Sequence, residues 1–128
     1  MARYEELTVG QLNVRSIKAP VDGTAASVTQ GTDRSTAVTS NGYAGTIVTN
    51  AASLAAAGEA TFVVNNSKVN TGSVVVISIV TPSATATTIA YVSKITAGTF
   101  EVTLSNLHAS TADTSATTFN YLVLNGNP

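Results

Sequence analysis

Ala97-Gly98-Thr99-Phe100-Glu101-Val102-Thr103-Leu104 decides the class of fold. Phe100, Val102 and Leu104 alternate with Glu101 and Thr103, so an extended backbone turns three apolar side chains to one side and two polar ones to water. That is the period of a strand buried on one face. The preceding Ala97-Gly98 suits a tight reversal, because glycine enters positive φ without steric cost.

Working outward, apolar segments of strand length recur at Thr36 to Thr39, Ala44 to Thr49, Ala60 to Asn65, Ser73 to Val80, Thr87 to Ile95, Thr99 to Leu104 and Thr118 to Leu124. Asn41-Gly42 and Asn70-Thr71-Gly72 supply further reversals, and Pro82 marks a looser loop. Short strands at this spacing predict an all-β fold, a single antiparallel β-sandwich or jelly-roll-like barrel. Val74-Val75-Val76-Ile77-Ser78-Ile79-Val80 and much of Phe119 to Leu124 are apolar on both faces. Such strands are either central or turn one face to another subunit. Asn50 to Glu59 is alanine-rich with a glycine near its end, and predicts a short turn of helix or a compact loop.

Composition agrees. Hydrophobic residues make up 44% of 128 residues and charged residues 10%, against roughly 25% charged in an average soluble domain. Thr, Ser and Asn stand where Lys and Glu usually would, and β-branched Thr favours a pleated surface. The length suits one ordinary domain.

Charge concentrates at the start: Arg3, Glu5, Glu6, Arg15, Lys18 and Asp22 precede a nearly neutral body. The turn chemistry of Ala19-Pro20-Val21-Asp22-Gly23 divides the chain into a leader, 1–22, and a sandwich domain, 23–128. Leader residues Leu12, Val14 and Ser16 share one face of an extended segment, with Gln11, Asn13 and Arg15 on the other. The leader reads equally as an extended N-terminal arm or as the first strand of the sandwich.

Several classes of function are disfavoured. A formal net charge of −1 gives no field for neutralising phosphates, so no nucleic-acid partner is expected. Without cysteine and with one histidine, neither a thiolate metal site nor a cysteine nucleophile can form, and no metal or cofactor is expected. No uncharged apolar run approaches the roughly 20 residues of a membrane span, and Glu5 and Glu6 lie where a signal peptide needs apolar residues. The product is expected to be made in the cytoplasm and not to bind membranes.

No catalytic constellation is apparent. His108 lies in a polar loop, Gly-x-Ser-x-Gly is absent, and Asp33, Glu59, Glu101 and Asp113 are scattered. Asp33 and Asp113 read as solvated loop residues. Most aromatic residues read as core or interface packing, with Tyr4 and Tyr43 as exposed anchors. The chain is expected not to be an enzyme. Its low-charge strands suit extensive protein contact, since few ions need desolvation.

The body also carries a resemblance. Val28-Thr29-Gln30-Gly31-Thr32-Asp33-Arg34-Ser35-Thr36-Ala37-Val38-Thr39, Gly45-Thr46-Ile47-Val48-Thr49-Asn50 with its alanine-rich sequel, Ala60-Thr61-Phe62-Val63-Val64-Asn65-Asn66-Ser67, Ala97 to Asn106 and Phe119 to Leu124 form the pattern. It resembles a β-rich domain of tailed-bacteriophage virion proteins, found in capsid decoration (cement) proteins and at the ends of tail or head fibres. The small size and lack of a repetitive shaft favour decoration. The resemblance implies a homotrimer on the outer surface of the phage head, bridging neighbouring major capsid protein subunits. On that reading the leader is the docking element, through Tyr4, Leu7, Val9, Leu12, Val14, Arg15, Ile17 and Lys18, pairing with a capsid strand edge. The alternative is a fibre or receptor-binding tip recognising a host surface glycan, with Tyr43 beside Asn41-Gly42 as its best candidate.

Overall fold

A computed structural model describes residues 25–126, which form eight strands and no helix. They are β1 (Val28–Thr29), β2 (Val38–Thr39), β3 (Ala44–Val48), β4 (Glu59–Asn65), β5 (Ser73–Thr81), β6 (Thr88–Thr96), β7 (Thr99–Asn106) and β8 (Thr118–Asn125). Two four-stranded sheets pack face to face as a β-sandwich. One, the β8 sheet, has the order β1-β3-β8-β5, and the other, the β7 sheet, has the order β2-β4-β7-β6.

Every apolar segment found in the sequence lies on a strand, most within a residue or two of its ends. Phe100, Val102 and Leu104 point inward from β7 and are fully buried, whereas Glu101 points out. Gly98, at φ +81°, closes the two-residue turn between β6 and β7. Among the described residues this is the one hairpin between consecutive strands. Every other connection crosses from one sheet to the other.

The sheets are mixed rather than purely antiparallel. The long strands pair antiparallel, while the two-residue strands β1 and β2 join β3 and β4 in parallel. The alanine-rich Asn50 to Glu59 stretch is a compact loop. Ala57 takes φ +54°, and Leu54 makes a two-way backbone bridge with Asp113.

The core consists of alternate residues from both sheets. Phe62 of β4 meets Phe119 of β8 at 6.5 Å between ring centroids, and Phe100 of β7 meets Tyr121 of β8 at 5.5 Å. Both pairs cross the sandwich, joining one sheet to the other in tilted geometries that aromatic quadrupoles favour.

Tyr121 carries its hydroxyl to the end of the core. There it accepts from Ser40 Oγ at 2.8 Å and donates to the Ser40 carbonyl at 2.9 Å. Burial raises the phenol's pKa above its ordinary value, and the Ser40 bond only partly opposes that shift.

The opposing residue on β3 is Gly45, where a Cβ would stand 2.7 Å from the Tyr121 ring and hydroxyl. Gly45→Ala is therefore expected to push the ring off Ser40 and lower stability by about 1–3 kcal/mol. Urea unfolding measures this, and an unchanged midpoint would show that the ring gives way freely.

Candidate functional site

Loops at one end of the sandwich converge on a buried ion pair that the sequence does not announce. Arg34 and Asp113 are 2% and 0% exposed, and Arg34 Nη2 lies 3.7 Å from Asp113 Oδ2. Arg34 also donates to the carbonyls of Ala52, Asp113 and Ser115, clamping three loops. Asp113 accepts from the Ser115 N–H at 3.0 Å, from Ser115 Oγ at 2.8 Å and from the Thr88 hydroxyl.

Desolvation pushes the Asp113 carboxyl upward. The hydrogen bonds from Thr88, from both donors of Ser115 and from Ser83 outweigh it, so its pKa lies below the ordinary aspartate value. Burial lowers the pKa of the Arg34 guanidinium, and Asp113 partly restores it. Asp113 is thus not the solvated loop residue its sequence context suggests. The sequence separation of Arg34 and Asp113 hides the pair, and nothing local to either residue marks it.

Asn106 completes this end. Its Nδ2 donates to the carbonyls of Leu54, Ala55 and Thr111, while its Oδ1 accepts from His108 N and Thr87 Oγ1. His108 Nδ1 accepts from the backbone N–H groups of Ser110 and Thr111. The histidine lone pair is therefore engaged in shaping its own loop. Among the described residues, no three of the His, Asp and Glu side chains gather as metal ligands would.

The remaining sequence candidates are dispersed. Glu101 faces outward and pairs with Lys94 at 3.5 Å on the exposed face of the β7 sheet. Asp33 is exposed and caps its own loop through Ser35 and Thr36. Tyr43 is not an exposed anchor: it is half-buried, packs on the core and has Lys68 Nζ 5.5 Å above its ring. The leader candidates Tyr4, Leu7, Val9, Leu12, Val14, Arg15, Ile17 and Lys18 lie outside the described residues.

The two outer faces differ in chemistry. On the β7 sheet, Thr61, Thr103 and Ser93 link their hydroxyls across three strands. On the β8 sheet, Val74 and Val76 of β5 stand opposite Leu124 and Leu122 of β8, and Val74, Val76 and Leu124 are at least half exposed. These four apolar residues are neighbours on one face, with no charged residue among them.

The apolar pattern of Ser73 to Val80 therefore has a different cause from that of Phe119 to Leu124. Among the described residues, β8 is central, between β3 and β5, whereas β5 is an edge strand on whose outer face Val74 and Val76 are at least half exposed. No family model, curated protein or solved structure matches the chain.

Proposed function

We propose that this chain is a non-catalytic structural component of a virion, decorating and stabilising the outside of a bacteriophage head as a trimer that bridges neighbouring capsid subunits. One observation carries this reading: the large apolar side chains left exposed, Leu107 apart, are grouped on strands, while the buried Arg34, Asn106 and Asp113 side chains hold loops together. A fold arranged in this way offers surfaces for assembly. The leader, through Tyr4 to Lys18, is the proposed capsid-docking element. Three leaders on one trimer would bind with high effective concentration after the first engages.

Labelled protein added to undecorated heads tests the reading by electron microscopy. Even labelling over the head is expected, with saturation at a fixed ratio to the capsid subunits. Labelling confined to tails or fibres would favour a receptor-binding tip, and absence from all particles would overturn both readings. Deletion of residues 1–19 is expected to abolish head binding while leaving the sandwich folded. Undiminished binding by that variant would remove the leader from the docking role.

A further inference from the structure

We infer that the β5/β6 side of the sandwich is the contact between copies of this chain, with the apolar face of one copy's β8 sheet meeting the next copy's β7 sheet. The inference rests on the proposed assembly only for the number of copies, three. The surface itself follows from where the exposed apolar residues lie.

β5 and β6 are the edge strands of their respective sheets and adjoin each other across the sandwich, with β1 and β2 at the opposite side. Of the large hydrophobic residues exposed among the described residues, all but Leu107 lie on β5, β6 or β8. Val74, Val76 and Leu124 are on the outer face of the β8 sheet. Ile89 and Tyr91 are on the outer face of the β7 sheet, while Ile79 and Val80 lie at the end of the edge strand between them.

The apolar surface is therefore a belt wrapped around one side of the molecule. These side chains are 39–57% exposed, on the order of 600 Å² in all for residues of their size; shared between two neighbours, that is about 300 Å² of apolar surface per contact, the apolar centre of an interface smaller than the standard one of roughly 800 Å² per partner.

Among the described residues, the outer edge of β5 has no ladder partner. Val74 to Thr81 make no backbone hydrogen bond outside the ladder to β8 among the described residues. Soluble proteins guard such edges with lysine, proline or a bulge. β6 carries two of these devices, Lys94 and a bulge between Val92 and Lys94. β5 carries neither from Ser73 to Ile79, its own irregularity falling between Ile79 and Thr81.

A second copy is the occupant that this distribution fits. The belt bears patches on opposite faces, and an edge-on pair related by a twofold axis would leave both faces uncovered. A head-to-tail contact uses both: each copy offers its β8-sheet patch to one neighbour and its β7-sheet patch to the other. Rotation about an axis beside β5 and β6 then closes a ring. The β8-sheet patch carries no charge, while the β7-sheet patch has the Lys94–Glu101 pair and Glu59, which accepts from the Tyr91 hydroxyl at 3.5 Å, beside it, so ionic desolvation opposes burial on that side only.

The test is the mass in solution of the full chain and of two variants, by light scattering and native mass spectrometry. Wild type is expected at three chains. Val76→Glu on the first patch and Ile89→Lys on the second are each expected to be monomeric at matched concentration. Both should keep the wild-type β-sheet circular dichroism, since both side chains point into solvent. Thr29→Glu, on β1 at the far edge, is expected to remain at three chains.

An equimolar mixture of Val76→Glu and Ile89→Lys is expected to form a two-chain species, because one intact patch of each kind remains. Wild type at one or two chains, or variants that keep the wild-type mass, overturns the proposal. Absence of a mixed two-chain species overturns its head-to-tail form. A three-chain wild type that ignores phage heads would sink the decoration reading alone.

Discussion

Asp113→Asn is expected to lower folding stability by about 3–5 kcal/mol, because it leaves the Arg34 guanidinium buried without its counter-charge. Asparagine keeps the shape but has one acceptor oxygen where aspartate has two. That oxygen belongs with the Ser115 N–H and hydroxyl. The amide NH2 then replaces Oδ2 and faces Arg34 Nη2, donor against donor. Thermal unfolding should fall by more than about 10 °C for a domain of this size. A shift under 3 °C would show that water or loop movement neutralises the charge.

The pH dependence follows in sign. The folded-state pKa of Asp113 lies below the ordinary value of 3.8, so the folded state holds its proton less tightly than the unfolded chain. The stabilisation is fully present above the unfolded value and is lost as pH falls through the folded one. The gap between wild type and Asp113→Asn should therefore be constant near neutrality and narrow below about pH 4. Arg34→Met combined with Asp113→Asn should cost less than the sum of the single changes, since the residues form one network.

The second large effect is expected at Phe100. Its side chain is fully buried, and its ring lies at 59° to that of Tyr121 across the sandwich. Phe100→Ala should lower stability by about 3–5 kcal/mol, combining lost transfer free energy with a cavity between two sheets that cannot close without changing their spacing. Guanidinium unfolding with an unchanged denaturant slope would show this as stability alone. Phe100→Leu, which refills most of the volume, should recover most of the loss. If Phe100→Ala cost under 1 kcal/mol, the sheets would be repacking around the void.

The sandwich was legible because its evidence is local. Alternation at Phe100 to Leu104 and reversals such as Ala97-Gly98 depend only on neighbours in the chain, and their strands fall where expected. β1 and the parallel pairings were not legible, since two-residue strands leave no periodic signal.

What depends on neighbours in space was harder to read. The apolar runs of β5 and β8 look alike in sequence, yet one lies at an edge and the other at a centre. The clamp of Arg34 on Asp113 joins distant loops through side chains, so Asp113 looked solvated until the fold brought the pair together.

The central place of β8 has a consequence for how the molecule comes to be folded. β3 and β5 share no ladder and are joined only through β8, which is the last strand of the described chain to be synthesised. Formation of the β8 sheet must therefore wait for the long loop between β3 and β8 to close. Such non-local closure places folding among the slower topologies, on the millisecond-to-second scale. Until Thr118 to Asn125 has emerged, Ser73 to Val80 lacks the one ladder partner it has among the described residues. A nascent or truncated chain ending before Thr118 would expose its most apolar strand along both edges, making this stretch the expected site of aggregation during production.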